Sequence, residues 1–157
     1  MKKSLLLIAI LAFVGTAAAV AQPRASGVNL GYGIDVSYQH ALGEKNMIDL
    51  SVNIPAFAGI GATATYDWVN PFGTAIPWNN KGEWNWNLGV GAGLGIYGFN
   101  APAFYVGAVG HVGVEYNFWF PLQLSVDYRP NIGWNFGANH FNTAGFYGIS
   151  LGVRYLF

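Results

Sequence analysis

Residue types that catalysis draws on recur within one stretch of this chain: His111, Glu115, Ser125 and Asp127. On neighbouring strands they could supply a base, an acid and a nucleophile. The spacing argues for a plainer role. Along a strand, His111 and Glu115 stand about 13 Å apart, and no nucleophile motif surrounds Ser125. Seven charged residues, Asp35, Asp49, Asp67, Glu115, Asp127, Arg129 and Arg154, each share a face with Gly, Ser, Thr, Asn or Gln. Asp127 and Arg129 lie two apart on one face, about 6.6–7 Å between Cα atoms, which an arginine side chain spans. The expectation is a network in which Arg129 and Arg154 pair with Glu115, Asp127 and their neighbours, because charges in a narrow interior must be paired or hydrated. His111 joins it as a hydrogen-bonded packing residue, and no catalytic residue is assigned.

Metal and phosphate chemistry find no purchase. His40, His111 and His140 lie on separate segments without a carboxylate at ligand spacing. The Gly-x-Gly run through Gly89, Gly91, Gly93 and Gly95 sits inside a strand pattern, where it is no phosphate loop. No cofactor is expected. Those glycines leave one wall without side chains. They make room for inward bulk such as Tyr105, Phe146 and Leu156, or for strong curvature. The other option is a cavity for a small apolar or lipid ligand.

The elements that carry these residues follow from period-two alternation. Val28, Leu30, Tyr32, Ile34, Val36 and Tyr38 oppose Asn29, Gly31, Gly33, Asp35, Ser37 and Gln39 in a first strand. Further strands follow around 48–54, 60–68, 84–96, 105–118, 122–129 and 149–157. Each has an apolar face and a face of glycine and polar residues. Both chain ends of a bacterial membrane barrel lie on one side, so the strand number must be even and eight are expected. The eighth is expected between Pro130 and Thr143, where Ile132, Trp134 and Phe136 alternate, although the same residues could extend the sixth strand.

Composition bounds the rest. Of 157 residues 53% are hydrophobic and only 9% charged, yet the apolar character is spread thinly and no run reaches membrane-helix length. Residues 1–21 read as a cleaved signal peptide: Lys2 and Lys3, an apolar stretch from Leu5 to Val14, and Ala19-Val20-Ala21 before Gln22. Residues 22–157 form the single domain. Its five basic and seven acidic residues give a net charge of −2, with no basic patch for nucleic acid. There is no cysteine, hence no disulfide or thiolate site.

Which face looks outward is decided by charge and size. A water-facing surface built from Gly, Ser and Thr would be unusual. An arginine on a lipid face near the midplane would cost roughly 2–4 kcal/mol, and the apolar side chains are too many for a narrow eight-stranded interior. The fold expected is an all-β, antiparallel up-and-down transmembrane barrel with its apolar face toward lipid. Tyr38, Trp68, Trp84, Trp86, Tyr116, Phe118, Tyr128, Tyr155 and Phe157 fall near strand ends on that face, as interfacial aromatics do.

Three segments carry a resemblance to a known family: Gly113-Val114-Glu115-Tyr116-Asn117-Phe118, the run from Pro121 to Pro130, and Leu151-Gly152-Val153-Arg154-Tyr155-Leu156-Phe157. With them the chain resembles the small eight-stranded outer-membrane barrels of the OmpA/OmpX type, in their short single-domain form. The resemblance implies an integral protein of the bacterial outer membrane whose terminal Phe157 segment is read by the barrel-assembly machinery. It implies no periplasmic domain and no particular activity. A structural or surface-interaction role is the leading expectation, with loops 70–82 and 131–143 offered to surface ligands. A narrow pore, a lipid-modifying barrel enzyme and a soluble lipocalin-like periplasmic carrier are the alternatives.

Overall fold

Strands dominate because nearly every second residue is β-branched, aromatic or otherwise apolar, which suits a pleated wall with one dry face. A computed structural model of the chain describes residues 22–55, 59–75, 81–98, 102–137, 140–143 and 148–157. Residues 1–21, expected from the sequence to be a signal peptide, lie outside them. The strands are β1 (Gln22–Leu30), β2 (Gly33–Ala41), β3 (Asn46–Pro55), β4 (Gly59–Pro71), β5 (Glu83–Tyr97), β6 (Ala103–Asn117), β7 (Gln123–Tyr128), β8 (Asn131–Asn135), β9 (His140–Thr143) and β10 (Ile149–Leu156). A 3-10 turn, Gly73–Ala75, follows β4.

These ten segments make eight staves. β6 pairs with β7 from Val112↔Tyr128 and with β8 up to Tyr105↔Asn135, in one unbroken register. β7 and β8 are therefore one stave, interrupted at Pro130, which has no N–H to give the ladder but still accepts from Gly110 N at 2.8 Å. β9 pairs with β8 and β10 with β7, so these two form the eighth stave. Every neighbour is antiparallel, and β10 closes the ring on β1 through Ala25↔Leu156 to Leu30↔Leu151. Beyond the last pair, Phe157 N donates to Arg24 O at 3.1 Å. The protein is a closed eight-stranded antiparallel barrel.

Two expectations about strand positions are corrected. Ile132 and Trp134 extend the stave begun at Gln123 rather than forming the missing strand. That strand is β1, because the run expected as one strand through Val28 and Tyr38 is a hairpin folded at Gly31 and Tyr32. Leu30 faces Ile34 across this turn, with Gly31 N donating to Gly33 O at 3.0 Å. The partners have the same parity, so alternation passes through the turn without a phase change, and the faces read from the sequence remain right on both strands. Residues 131–143 are mostly wall, not loop. The described parts of the 70–82 connection begin within β4 and lie at the end of the barrel that holds Gln22 and Phe157, opposite the end reached by β8.

The register sets the tilt. A row of paired residues leaves the seventh stave at Ser125, passes Gly152, Asn29, Asp35, Asn53, Gly61, Gly95 and Tyr105, and re-enters that stave at Asn135, ten residues further on. Ten residues rise about 33 Å and eight strand spacings span about 38 Å, so the strands lean by about 40°, within the ordinary range for barrels. Strong shear of this kind brings backbones close. A Cβ on inward Gly91 would strike the Ala64 carbonyl of the neighbouring strand, which is why that position carries none. At the exit of β5, Gly98 turns the chain with φ +85°, a conformation that favours glycine.

Candidate functional site: the charged barrel interior

The inside of this barrel is polar. Among the described residues the buried hydrophobic side chains are Ala25, Met47, Tyr105 and Val109, whereas buried polar groups occur on all eight staves. The reason is geometric: odd-numbered positions face inward from β1 through β8, and the sequence places Asn, Ser, Gln, Asp, Thr, Glu and Gly there. Buried charge is tolerable only when its hydrogen bonds are satisfied, and three arginines and a histidine arrange that.

Arg154, on β10, spends all five of its N–H donors. Nε donates to Ser37 Oγ at 2.8 Å, Nη1 to Gln123 Oε1 at 3.1 Å and Ser125 Oγ at 2.6 Å, and Nη2 to Asn29 Oδ1 at 2.8 Å and Asp127 Oδ2 at 2.9 Å. It ties β10 to β1, β2 and β7. His111, on β6, sits between two carboxylates, its Nδ1 2.7 Å from Asp67 Oδ1 and its Nε2 3.1 Å from Asp127 Oδ1. Thr65 Oγ1 donates to Asp67 Oδ2 at 2.7 Å and Ser125 Oγ to Asp127 Oδ2 at 2.7 Å, completing both carboxylates.

Arg129 crosses the lumen to β3, the stave diametrically opposite in the ring, where Nη2 donates to Asp49 Oδ1 and Nη1 to Ser51 Oγ, each at 3.1 Å. Near the chain termini, Arg24 forms a two-pronged pair with Glu115. It also donates to Gln39 Oε1 at 2.6 Å, and Gln39 Nε2 passes the link on to Asp49 Oδ2 at 3.1 Å. Glu115 further receives Gln123 Nε2 at 3.2 Å.

The inward charges expected from the sequence lie inside; Arg154 pairs with Asp127 as expected, whereas Arg129 and Glu115 have other partners. Arg129 reaches Asp49 rather than Asp127 two residues away, because a tilted strand points its arginine across the lumen instead of along the wall. Asp127 is held by Arg154 and His111. Glu115 is held by Arg24, which sequence reasoning left out. Arg24 occupies an even position, and it turns inward because β1 has a bulge: Pro23 faces His40 and Ala25 faces Gln39, leaving Arg24 as the extra residue. The charge balance held the missing signal, since five inward acids against two arginines call for another cation and Arg24 is the remaining arginine. Asp35 is only half-buried and hydrogen-bonds no side chain among the described residues.

Of the four candidate catalytic residues, His111, Ser125 and Asp127 meet, but not as a nucleophile and its base, while the Glu115 carboxylate is held by Arg24, Asn85 and Gln123. Ser125 and His111 bind opposite oxygens of Asp127 and make no hydrogen bond to each other, and Ser125 Oγ is also held by Arg154. His111, Glu115 and Asp127 are wholly shielded from solvent. Among the described residues no group of three or more His, Cys, Asp or Glu is placed to hold a metal ion. His40 points outward against Tyr38, whose hydroxyl is 3.0 Å from Nδ1. The side chain of His140 and all of Trp78 and Phe146 lie outside the described residues.

The inward glycines are covered rather than facing empty space. The Tyr97 hydroxyl lies over Gly61 and Gly95, Tyr105 lies over Gly107 and Gly133, and Val109 and Thr63 meet above Gly93. This is aromatic rescue: large rings pack over positions that lack a side chain. Leu156 is partly exposed.

On the outside, Val36, Leu50, Val52, Leu88, Val90, Val126 and Val153 are exposed. Trp68, Trp86, Tyr155 and Phe157 are exposed toward the end with the chain termini, where Tyr38, Trp84, Tyr116 and Phe118 are half-buried; Tyr128 is exposed nearer the middle of its stave. A second aromatic group that sequence reasoning passed over, Tyr32, Phe104, Trp134 and Phe136, is exposed at the opposite end. No family model, curated protein or solved structure matches this chain.

Proposed function

We propose that this chain is an integral barrel of the bacterial outer membrane with a structural or surface-interaction role, made with a cleaved signal peptide at 1–21 and without catalytic activity of its own. The observation that carries it is the inversion of the barrel: charge and hydrogen bonds inside, a predominantly apolar surface outside. A soluble carrier would enclose the apolar face and wet the polar one.

Dimensions support the same reading. From Phe104 to Tyr116, the outward aromatics at the two ends of β6 are twelve residues apart, about 40 Å along the strand. A tilt of roughly 35–45° shortens this to about 28–33 Å along the axis. That span fits an apolar band ~25 Å tall flanked by aromatic girdles. Outer-membrane lipid is the partner this surface fits, and the outward Tyr155 and Phe157 at the closing edge are the segment we assign to the assembly machinery.

The interior speaks for structure over transport or turnover. Arg24, Arg129, Arg154 and His111 each link staves that are not both neighbours in the ring, so the lumen near the chain termini is cross-braced rather than open. The first test is migration of the protein from isolated outer membranes on a denaturing gel, boiled against unboiled. The expected result is a fraction in the outer membrane and a shift on boiling. A protein recovered in the soluble periplasm without a shift would overturn the reading.

A further inference from the structure

Solvent reaches the barrel interior unevenly. Inward residues toward the chain termini, among them Gln39, Asp49, Asp67, Asn87, Glu115 and Gln123, are closed off. Toward the other end, inward Asp35, Asn53, Thr63, Tyr97 and Asn131 are only half-buried, although Tyr105, Val109 and Asn135 beside them are closed off. The lumen is therefore a blind vestibule above a sealed plug.

Charge in it is also uneven. Each arginine is committed to a carboxylate of the plug: Arg24 to Glu115, Arg129 to Asp49 and Arg154 to Asp127, while His111 braces Asp67. That leaves Asp35 as the one inward acid without a hydrogen-bonded partner among the described residues, with Arg129 acting on it only at longer range. Asp35 pairs across the strands with Asn53, whose Oδ1 lies with the Tyr97 hydroxyl over Gly61. Tyr97 and Tyr105 meet edge to face with centroids 6.0 Å apart, and Asn53 Oδ1, beside Tyr97 over Gly61, has no donor.

A carboxylate near an aromatic ring in a partly dried space is the chemistry that recognises an organic cation. A bare metal ion would want several more oxygen or nitrogen ligands than Asp35 brings, and an anion would be repelled. The interior of an eight-stranded barrel has room for one small ligand. We propose that the vestibule binds a small organic ammonium ion, with the Asp35 carboxylate as counter-charge and the half-buried Tyr97 ring, backed by Tyr105, as its aromatic face. The site does not depend on what covers the outside of the barrel.

The test is calorimetric titration of choline into the folded full-length chain in a maltoside detergent, which has no ammonium headgroup to compete. Saturable binding is expected, weakened about tenfold or more in Asp35→Asn and also weakened in Tyr97→Leu, which keeps the charge. Asp35 holds no side chain in place, so its variant should fold. Should it fail to, Tyr97→Leu and the loss of affinity with rising salt carry the test. Equal binding of 3,3-dimethyl-1-butanol, the uncharged isostere of choline, would overturn the proposal. So would unchanged affinity in both variants, or no saturable heat in the wild type.

Discussion

Arg129 and Asp49 stand on opposite walls of the barrel and meet in its middle at 3.1 Å. Eighty positions separate them in the chain, and both are almost wholly shielded from solvent. A strut of this kind costs desolvation of both ions and is retained only if the pair is kept whole.

Removing both members should therefore harm the fold less than the two single losses added together. Arg129→Met and Asp49→Asn are each expected to lower stability by ~3–5 kcal/mol. The double variant should recover part of the loss, with a coupling of ~0.5–3 kcal/mol. Denaturant titration of the refolded barrel measures this. Strict additivity would mean that the pair contributes nothing jointly.

His111 offers a way to separate bracing from chemistry. His111→Gln leaves Asp67 and Asp127 short of a partner and should cost about 3 kcal/mol of stability. Membrane lipid composition, followed by mass spectrometry in cells making the variant or the wild type, should not differ. A lipid species that appears with the wild type and vanishes with the variant, at equal barrel content, would make the residue catalytic.

The outward face can be interrogated at Val90, mid-way along β5 and 59% exposed. In lipid vesicles Val90→Arg should destabilise the barrel by ~2–4 kcal/mol, the cost of an arginine near the bilayer midplane. In a water-facing wall the same change would be nearly silent. Refolding midpoints in vesicles distinguish the two.

Packing of rings over glycines predicts a local interaction. A methyl group on Gly95 would come within 2.8 Å of the Tyr97 hydroxyl and 2.9 Å of the Ile60 carbonyl. Gly95→Ala should cost ~1–3 kcal/mol through overpacking, and less when Tyr97→Leu is already present. Thermal or denaturant midpoints of the two singles and the double variant check it.

The wall was far more legible in the sequence than the contacts inside it. Through the hairpins from β1 to β8, cross-strand partners such as Leu30 and Ile34, or Asn46 and Trp68, share parity. One alternating rhythm therefore runs through the turns and assigns inward residues correctly from Asn29 to Asn135. The same continuity hid the Gly31–Tyr32 turn and with it β1. Pairing depends on register and tilt, which alternation does not encode. That is why Arg129 was expected beside Asp127 when it reaches Asp49. Arg24 was missed for a third reason: a bulge reverses its parity, so the rule that found the other inward charges placed it on the wrong face.

The seam between β1 and β10 carries a consequence for topology. Leu156 lies opposite Ala25, and the amide of Phe157 is bonded to the carbonyl of Arg24, so the ring of hydrogen bonds continues where the covalent chain stops. The wall then has no privileged beginning. A short bridge from Phe157 to Gln22, with new ends opened in the turn between Ala41 and Asn46, would give a circular permutant with the same eight planks and the same cross-braces. Chain order is a matter of how this barrel is made rather than of what holds it closed.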